Sequence, residues 1–326
     1  ENNGFDRFTG MSFLVDAIKN SPKLKQLHLL HNPIFTQDNT DLFVDAINEH
    51  PTLESVTIMR SGSASGPPDA LCSLFTGCKM LKTINLFENN IGSRGSTLIS
   101  DFLATNPCLE NLELSLNKFN DIDAGLIAIA LKSNTNLQNL RLEANSLTKV
   151  GRDALLKAVF DALSINSLFG SNHSCQINLG PQFPKIKAIN GQGMRKYDPK
   201  TRAYIKIALI LSSPADDNVN IGLLSDIPVG LMYEILEFVA NYPVNTTWAF
   251  MLNMLQEDKE VKANDMQEKP AEIMYDGPND CDVIFCDDSD DENEDEGMDL
   301  EAVQLKSLTN VFHTMRGLAV PVLFGN

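Results

Sequence analysis

A phrase of apolar residues that ends in an asparagine recurs along the first half of this chain and constrains its fold. The phrase Leu-x-x-Leu-x-Leu-x-x-Asn, with conservative replacements, begins at Leu24, Leu53, Leu81, Leu109 and Leu137. Successive copies start 28 or 29 residues apart. A fixed period of this length predicts an array of similar units, each burying its apolar face against its neighbours.

Each unit is predicted to contain a strand, a turn and a helix. Alternation of the apolar residues within the phrase predicts a strand with one buried face, and the residues that follow change to helical spacing, as at Ile127, Ala130 and Leu131. The residues at the end of the phrase should bond backbone groups at the bend that follows the strand. They are Asn32, Ser61, Asn89, Asn117 and Asn145.

The pattern resembles that of leucine-rich-repeat proteins of the ribonuclease-inhibitor-like class, and it covers roughly residues 10–175. The segment Ser171-Asn-His-Ser-Cys175 resembles one that closes the repeats in a group of uncharacterised algal leucine-rich-repeat proteins with a helical tail. The resemblance implies an α/β solenoid in the shape of a horseshoe arc, with parallel strands inside, helices outside and an α-helical C-terminal cap.

Two regions are expected. Residues 1–175 form a leucine-rich-repeat domain of about six repeats, whose degenerate last strand lies at 165–175. Residues 176–199 read as a connector, and apolar spacing predicts helices at 203–211, 229–240, 246–256 and 300–315. Because the end of a solenoid exposes an apolar core, residues 176–326 are interpreted as a capping region.

One acidic segment carries nearly all the charge of the chain. The formal net charge is −17, and residues 257–301 contain 19 acidic residues against three lysines. Such charge density predicts a disordered insertion at about 257–299 within the cap. The insertion is either a passive solvated segment, a contact for a basic protein, or a regulated segment in which Ser289 is a candidate phosphorylation site.

Several classes of function are disfavoured. The acidic balance and the absence of a basic cluster of useful size argue against nucleic acid, and no apolar run is long enough for a membrane span. No catalytic motif or cofactor-binding loop was found, and His173 with Cys175 makes too small a ligand set for a metal. The six cysteines read as free thiols of an intracellular protein, placed in the cytoplasm with the nucleus as the alternative.

The residues between the buried leucines are expected to project from the concave strand face and to bind a partner. Leu30, Met59 and Phe87 should form a contiguous apolar stripe there, because neighbouring strands lie about 4.8 Å apart. Beside the stripe, the same face should carry His28, Asn85, Glu113, Arg141, Arg60 and Glu88.

The leading hypothesis is a non-catalytic module that binds an unidentified protein partner in the concavity. One alternative is a regulator of a small GTPase, because activating proteins for the nuclear-transport GTPase also join this repeat class to an acidic C-terminal segment. Another alternative is an acidic histone-binding protein that acts as a chaperone.

Overall fold

A computed structural model describes residues 9–32, 35, 37–61, 70–76, 80–92, 96–212 and 234. In this part of the chain, six strands form one parallel sheet whose spatial order follows the order of the sequence. The strands are β1 (Gln26–Leu30), β2 (Ser55–Met59), β3 (Thr83–Asn85), β4 (Asn111–Glu113), β5 (Asn139–Arg141) and β6 (Gln176–Asn178). Parallel pairing of consecutive strands requires a crossover after each strand, and the segments between the strands supply it.

Helical segments fill most of these crossovers. The described helices are α1 (Thr9–Lys19), α2 (Gln37–Asn48), a 3-10 helix (Ala70–Thr76), α3 (Leu98–Ala104), α4 (Asp121–Leu131), α5 (Lys149–Val159), α6 (Ile165–Phe169), α7 (Pro184–Ile189), α8 (Gln192–Arg195) and α9 (Pro199–Ser212). The chain is therefore α/β, with helices alternating with the strands of an open parallel sheet. None of the described helices is long and apolar enough to cross a membrane.

The leucines of the repeated phrase form the layer between sheet and helices. Leu112 and Leu114 of one unit, together with Leu140 and Leu142 of the next, are buried side by side because β4 and β5 pair in register. Helix residues such as Leu131 close this layer from the other side. Because the period of the sequence equals the offset between paired strands, each leucine meets its counterpart in the next unit.

The asparagines after the strands connect neighbouring units, as their position predicted. The Asn117 side chain accepts hydrogen bonds from the backbone N–H groups of Asn89 and Ile91, each at 3.0 Å. Its amide donates to the carbonyls of Leu86 and Leu114 at 2.8 and 3.0 Å. One buried side chain thus satisfies backbone groups of two consecutive units, at the bend where sheet pairing ends.

A left-handed backbone conformation recurs immediately before these asparagines. His31, Arg60, Glu88, Leu116 and Ala144 have φ between 49° and 56°. The N–H of Leu116 still donates to the carbonyl of Glu143 at 2.9 Å, so strand pairing continues to this residue before the chain turns. The sequence does not predict this conformation, because none of the five residues is glycine, the residue that adopts it most readily. The repeated geometry of the turn imposes it.

The last strand differs from its prediction. Residues 165–175 contain the short helix α6 instead of a strand, and the sixth strand, β6, begins one residue beyond the expected boundary at 175. The predicted connector at 176–199 holds β6, α7 and α8. The strand lies later than predicted because the last unit has an extra turn of helix before it. The Asn172 amide donates to the carbonyl of Leu131 across that insertion.

The predicted helix at 203–211 is confirmed as part of α9, which packs against α6. The other predictions for the C-terminal half lie outside the described residues. They are the helices at 229–240, 246–256 and 300–315, the disordered insertion at 257–299 and the phosphorylation site at Ser289. Glu234, within the first of these ranges, is described and is helical.

Candidate interaction surface on the strand face

The sheet places the predicted central row of the strand face in register. His28 lies beside Thr57, and the pairing continues through Asn85, Glu113 and Arg141. Asn178 of β6 extends the row beyond Arg141 by one strand. These side chains alternate with the buried leucines, because successive residues of a strand point to opposite faces.

Glu113 is the central acidic residue of this row and is largely buried. One carboxylate oxygen accepts a hydrogen bond of 2.7 Å from the backbone N–H of Ser115, and the other lies 3.6 Å from the guanidinium of Arg141. Burial raises the pKa of the Glu113 carboxyl, although the Ser115 hydrogen bond and the Arg141 charge oppose this effect. The hydrogen bond from Ser115 and the charge of Arg141 therefore offset only part of the cost of burying the Glu113 carboxylate.

Asn85 and Asn178 use their side chains in the same way as Glu113. The Asn85 side-chain oxygen accepts from the N–H of Phe87 at 3.0 Å, and that of Asn178 accepts from the N–H of Gly180 at 3.1 Å. In each of these strands, the central side chain turns toward the backbone two residues further along. An oxygen acceptor at this position consequently stabilises the strand end, and both asparagines, like Glu113, are buried.

The predicted apolar stripe is assembled in part. Leu30 pairs with Met59, and the N–H of Arg60 donates to the carbonyl of Phe87, so the three strand ends lie in sequence. However, Met59 is only 8% exposed, and Leu30 and Phe87 are half-buried. The stripe presents less apolar area than expected, and its role in binding stays a prediction.

Larger exposed apolar side chains occur on the helices. Ile122 and Ile129 of α4 and Val150 of α5 are each about two-thirds exposed. They lie on the opposite side of the molecule from the strand face, because the helices cover the other face of the sheet.

A strong ion pair lies beside the stripe. The Arg60 guanidinium donates to the Glu88 carboxylate at 2.5 Å, and both side chains are about one-third exposed. These residues occupy equivalent left-handed positions in consecutive units. Their charges largely neutralise each other at the surface, so a ligand would meet a paired dipole here instead of two separate charges.

A second polar row, which the sequence reasoning missed, runs along the N-terminal ends of the strands. Asn139 donates to Asn111 at 2.6 Å, and Asn111 donates to the Thr83 hydroxyl at 3.3 Å. The guanidinium of Arg195, from α8, donates to Asn139 and also to Gln176 at 2.8 Å. The recurrence of Thr, Asn, Asn and Gln at one repeat position was the available signal, but Arg195 comes from outside the repeats.

The end of the sheet contains a buried lysine that also escaped prediction. Lys206 of α9 is 0% exposed, and its ammonium donates to the carbonyls of Val159 and Asn172 at 2.8 and 3.2 Å. It also lies 3.1 Å from Nδ1 of His173. Because Nε2 of His173 bonds to the carbonyl of Phe169 at 3.1 Å, Nε2 carries the proton and Nδ1 accepts from the lysine.

This arrangement disfavours protonation of the histidine. Burial is the largest cause that lowers the pKa of His173 to about 3, and the charge of Lys206 adds to it. Burial likewise lowers the pKa of Lys206 well below its ordinary value. His173 therefore serves as a neutral acceptor that holds α9 against the last unit of the sheet.

The described residues show little that favours a metal or covalent chemistry. Within the described ranges, no group of three or more His, Cys, Asp and Glu side chains is placed to hold a metal ion. Cys108 and Cys175 carry free thiols, and burial raises the pKa of Cys175. Cys78, Cys281 and Cys286 lie outside the described residues.

Comparisons with known proteins give no functional assignment for this chain. No protein-family model matches the chain, and a search of curated proteins finds no match either.

Proposed function

We propose that this chain is a leucine-rich-repeat solenoid of the ribonuclease-inhibitor-like class, closed by a helical cap, and that it acts as a non-catalytic protein-interaction module. The period of 28 residues, the six-stranded parallel sheet in sequential order and the interlocking asparagines support the fold. The packing of α9 and the Lys206 contacts support the cap. We also propose that the module works inside the cell, because its six cysteines are too sparse for a disulfide framework.

The observation that carries the functional proposal is the contrast between the two faces of the sheet. The buried face repeats leucine, isoleucine and valine, whereas the central row of the other face changes from histidine to threonine, asparagine, glutamate, arginine and asparagine. Variation of this kind on an otherwise uniform scaffold suits recognition of a protein partner, with polar groups defining the specificity. Within this row His28 is exposed and Arg141 is half-buried, and Glu143, two residues beyond Arg141, is also half-buried.

Affinity capture with matched variants tests this proposal. Arg141→Ala/Glu143→Ala removes one positive and one negative charge from the strand face, and Lys149→Ala/Asp153→Ala removes the same charges from the exposed face of α5. The strand-face variant is expected to lose at least one protein that the wild type and the α5 variant both retain. Circular dichroism and thermal unfolding establish that both variants fold. Recovery of the same proteins by all three chains would contradict the proposal.

The two alternative functions remain predictions. Regulation of a small GTPase has no described residue that supports it, and stimulated hydrolysis across a GTPase panel is its test. Histone binding rests on residues 287–296, which lie outside the described residues, and salt-sensitive histone capture by the full chain and by a deletion of this segment tests it.

A further inference from the structure

The end of the molecule next to β6 carries a concentration of basic residues that contrasts with the charge of the whole chain. Between residues 185 and 206 there are seven basic side chains and one acidic side chain, Asp198. The sequence shows no single run of basic residues here because the charges are spread across three helices. The basic residues are Lys185, Lys187, Arg195, Lys196, Lys200, Arg202 and Lys206.

Arg195 and Lys196 present their charges to solvent. Both side chains are exposed, and neither lies within ion-pair distance of a carboxylate in the described part of the chain. Arg195 is anchored through Nη2 alone, by Asn139 and Gln176, so Nε and Nη1 remain for another ligand. The ammonium of Lys196 lies 5.0 Å from the centre of the Tyr197 ring, which supports it without neutralising it.

Arg202 fixes the backbone that carries these two residues. Its guanidinium donates to the carbonyls of Tyr197 at 2.9 Å, His173 at 3.0 Å and Arg195 at 3.3 Å. The one acid of the segment, Asp198, accepts from the backbone N–H groups of Lys200 and Thr201 at the start of α9. The segment's own carboxylate is thus committed to the helix end, and the exposed cations keep a fixed arrangement.

A carboxylate from the C-terminal part of the chain already contacts this end of the molecule. Glu234 lies 2.9 Å from the ammonium of Lys200, and the Tyr204 hydroxyl also donates to it. This contact shows that the chain beyond α9 returns to the basic residues. Arg195 and Lys196 offer two further positive charges on the same segment.

We propose that Arg195 and Lys196 form a docking surface for the acidic segment 287–296 of the same chain. The segment carries eight carboxylates within ten residues, so its charge complements the surface. Roughly 75 residues separate it from the end of α9, and a chain of that length reaches about 250 Å when fully extended. Chain length therefore permits the contact from any direction.

The expected contact is electrostatic and cumulative. An exposed ion pair contributes only about 0.2–1 kcal/mol, but tethering gives the segment an effective concentration of order millimolar. Docking should weaken as salt increases, because screening shortens the range of the interaction from about 10 Å at 0.1 M to about 3 Å at 1 M. Phosphate on Ser289 would add about −1.5 to −2 charge and strengthen docking.

A peptide-competition experiment on the full chain tests this proposal. The probe is a fluorescent peptide of residues 287–296, and its binding is followed by anisotropy at low salt. In one chain the eight carboxylates of the segment are replaced by their amides, which leaves the surface unoccupied. This neutralised chain is expected to bind the peptide about tenfold more tightly than the wild type, whose own segment competes.

Two further variants locate the binding surface. In the neutralised chain, Arg195→Gln/Lys196→Gln should reduce peptide affinity about tenfold, whereas the matched pair Lys149→Gln/Lys157→Gln on α5 should leave it unchanged. An equal loss in both pairs would overturn the proposal, because general attraction would then explain binding.

Other outcomes also decide the question. Failure of the neutralised chain to bind the peptide, or equal binding by the neutralised and wild-type chains, would overturn it. Preference for a single-stranded oligonucleotide of the same charge over the peptide would also overturn it, and would assign the surface to nucleic acid. The strand-face proposal is unaffected by each of these results, because the peptide experiment does not use its partner.

Discussion

Glu113 shows how one side chain on the strand face serves both the fold and the surface. Its carboxylate stabilises the end of β4 through the Ser115 N–H, yet burial raises its pKa. A raised pKa in the folded state means that the folded chain binds more protons than the unfolded chain above the ordinary pKa. The free energy of unfolding therefore falls as pH rises from the ordinary pKa to the raised one. At neutral pH the buried charge lowers the stability of the fold.

Glu113→Gln is consequently expected to increase stability at pH 7. The amide oxygen retains the acceptor for Ser115 while the buried charge is removed. Near pH 4, where the wild-type carboxyl is protonated, the difference should shrink. Urea unfolding at both pH values measures it, and Glu110→Gln controls for the loss of one charge from the chain. A larger gain at pH 4 than at pH 7 would contradict the sign of the pKa shift.

Asn117 illustrates the structural use of the repeated asparagine. It is buried and satisfies N–H and carbonyl groups of two units at once. Asn117→Ala should lower the free energy of unfolding by about 3 kcal/mol, because several buried backbone groups lose their partner. Asn120→Ala removes only the N-cap of α4 and should cost about 1 kcal/mol. Chemical denaturation compares the two, and equal losses would show that the cross-unit bonds contribute nothing extra.

The left-handed position before the asparagine has a cost of its own. Ala144 has φ 50° and an exposed side chain. Ala144→Gly should stabilise the protein by about 0.5 kcal/mol, since relief of the backbone exceeds the added entropy of the unfolded chain. The same replacement at Ala154, inside α5, should destabilise it by about 1 kcal/mol. Thermal unfolding measures the change in stability of each variant. Destabilisation by Ala144→Gly would contradict the inference that the backbone at residue 144 is strained.

At the scale of elements, α4 and α5 approach each other closely at Gly151. A β-carbon placed there would lie 2.5 Å from Oδ1 of Asp121, 3.1 Å from the Asp121 Cα and 3.1 Å from the Ala124 Cβ. Asp121 in turn accepts hydrogen bonds from the N–H groups of Thr148 and Gly151, at 2.8 and 3.1 Å. A small residue at 151 is therefore what allows the start of α5 to rest on the first turn of α4.

Gly151→Ala is expected to destabilise the protein by about 2 kcal/mol, because it forces these helices apart and disturbs the Asp121 bonds. Gly125→Ala is the matched control within α4, where a β-carbon meets nothing within 4 Å. That replacement should stabilise by about 1 kcal/mol through helix propensity. Differential scanning calorimetry measures the stability of both variants. If both replacements stabilise the protein, α4 and α5 do not pack tightly at Gly151.

At the scale of the whole molecule, His173 and Lys206 join the array to α9. The unfolded histidine has an ordinary pKa near 6.5, whereas the folded one is lowered to about 3. Between these values the unfolded chain binds a proton that the folded chain does not. Stability should accordingly fall as pH decreases from about 6.5 to 3, by up to about 1.4 kcal/mol per pH unit.

His173→Gln removes this dependence and should flatten the acid limb of the stability curve. Urea unfolding between pH 7 and pH 4 measures the slope, and hydrogen exchange of α9 shows whether that helix is released first. His50→Gln provides a control, because His50 bridges Ser21 and Thr52 near the other end of the array. If His173→Gln leaves the slope of unfolding free energy against pH unchanged, His173 is not the source of the acid dependence.

The sequence by itself determined that strands and helices alternate along the described part of this chain. The period, the alternation within the phrase and the asparagines are local signals, and each of them reappears in the sheet register and the hydrogen bonds between units. The central row from His28 to Arg141 followed from the same alignment, because a parallel sheet in sequential order brings equivalent positions together.

Only the tertiary structure decided the features that depend on residues distant in the sequence or on backbone geometry. The burial of Met59 and Glu113, the left-handed turns, the position of β6 and the Lys206–His173 contact have no local signature. Arg195 joins the strand face from a helix 56 residues beyond Asn139. Burial and electrostatic compensation depend on which groups the folded chain places nearby, and a periodic pattern specifies only its own repeats.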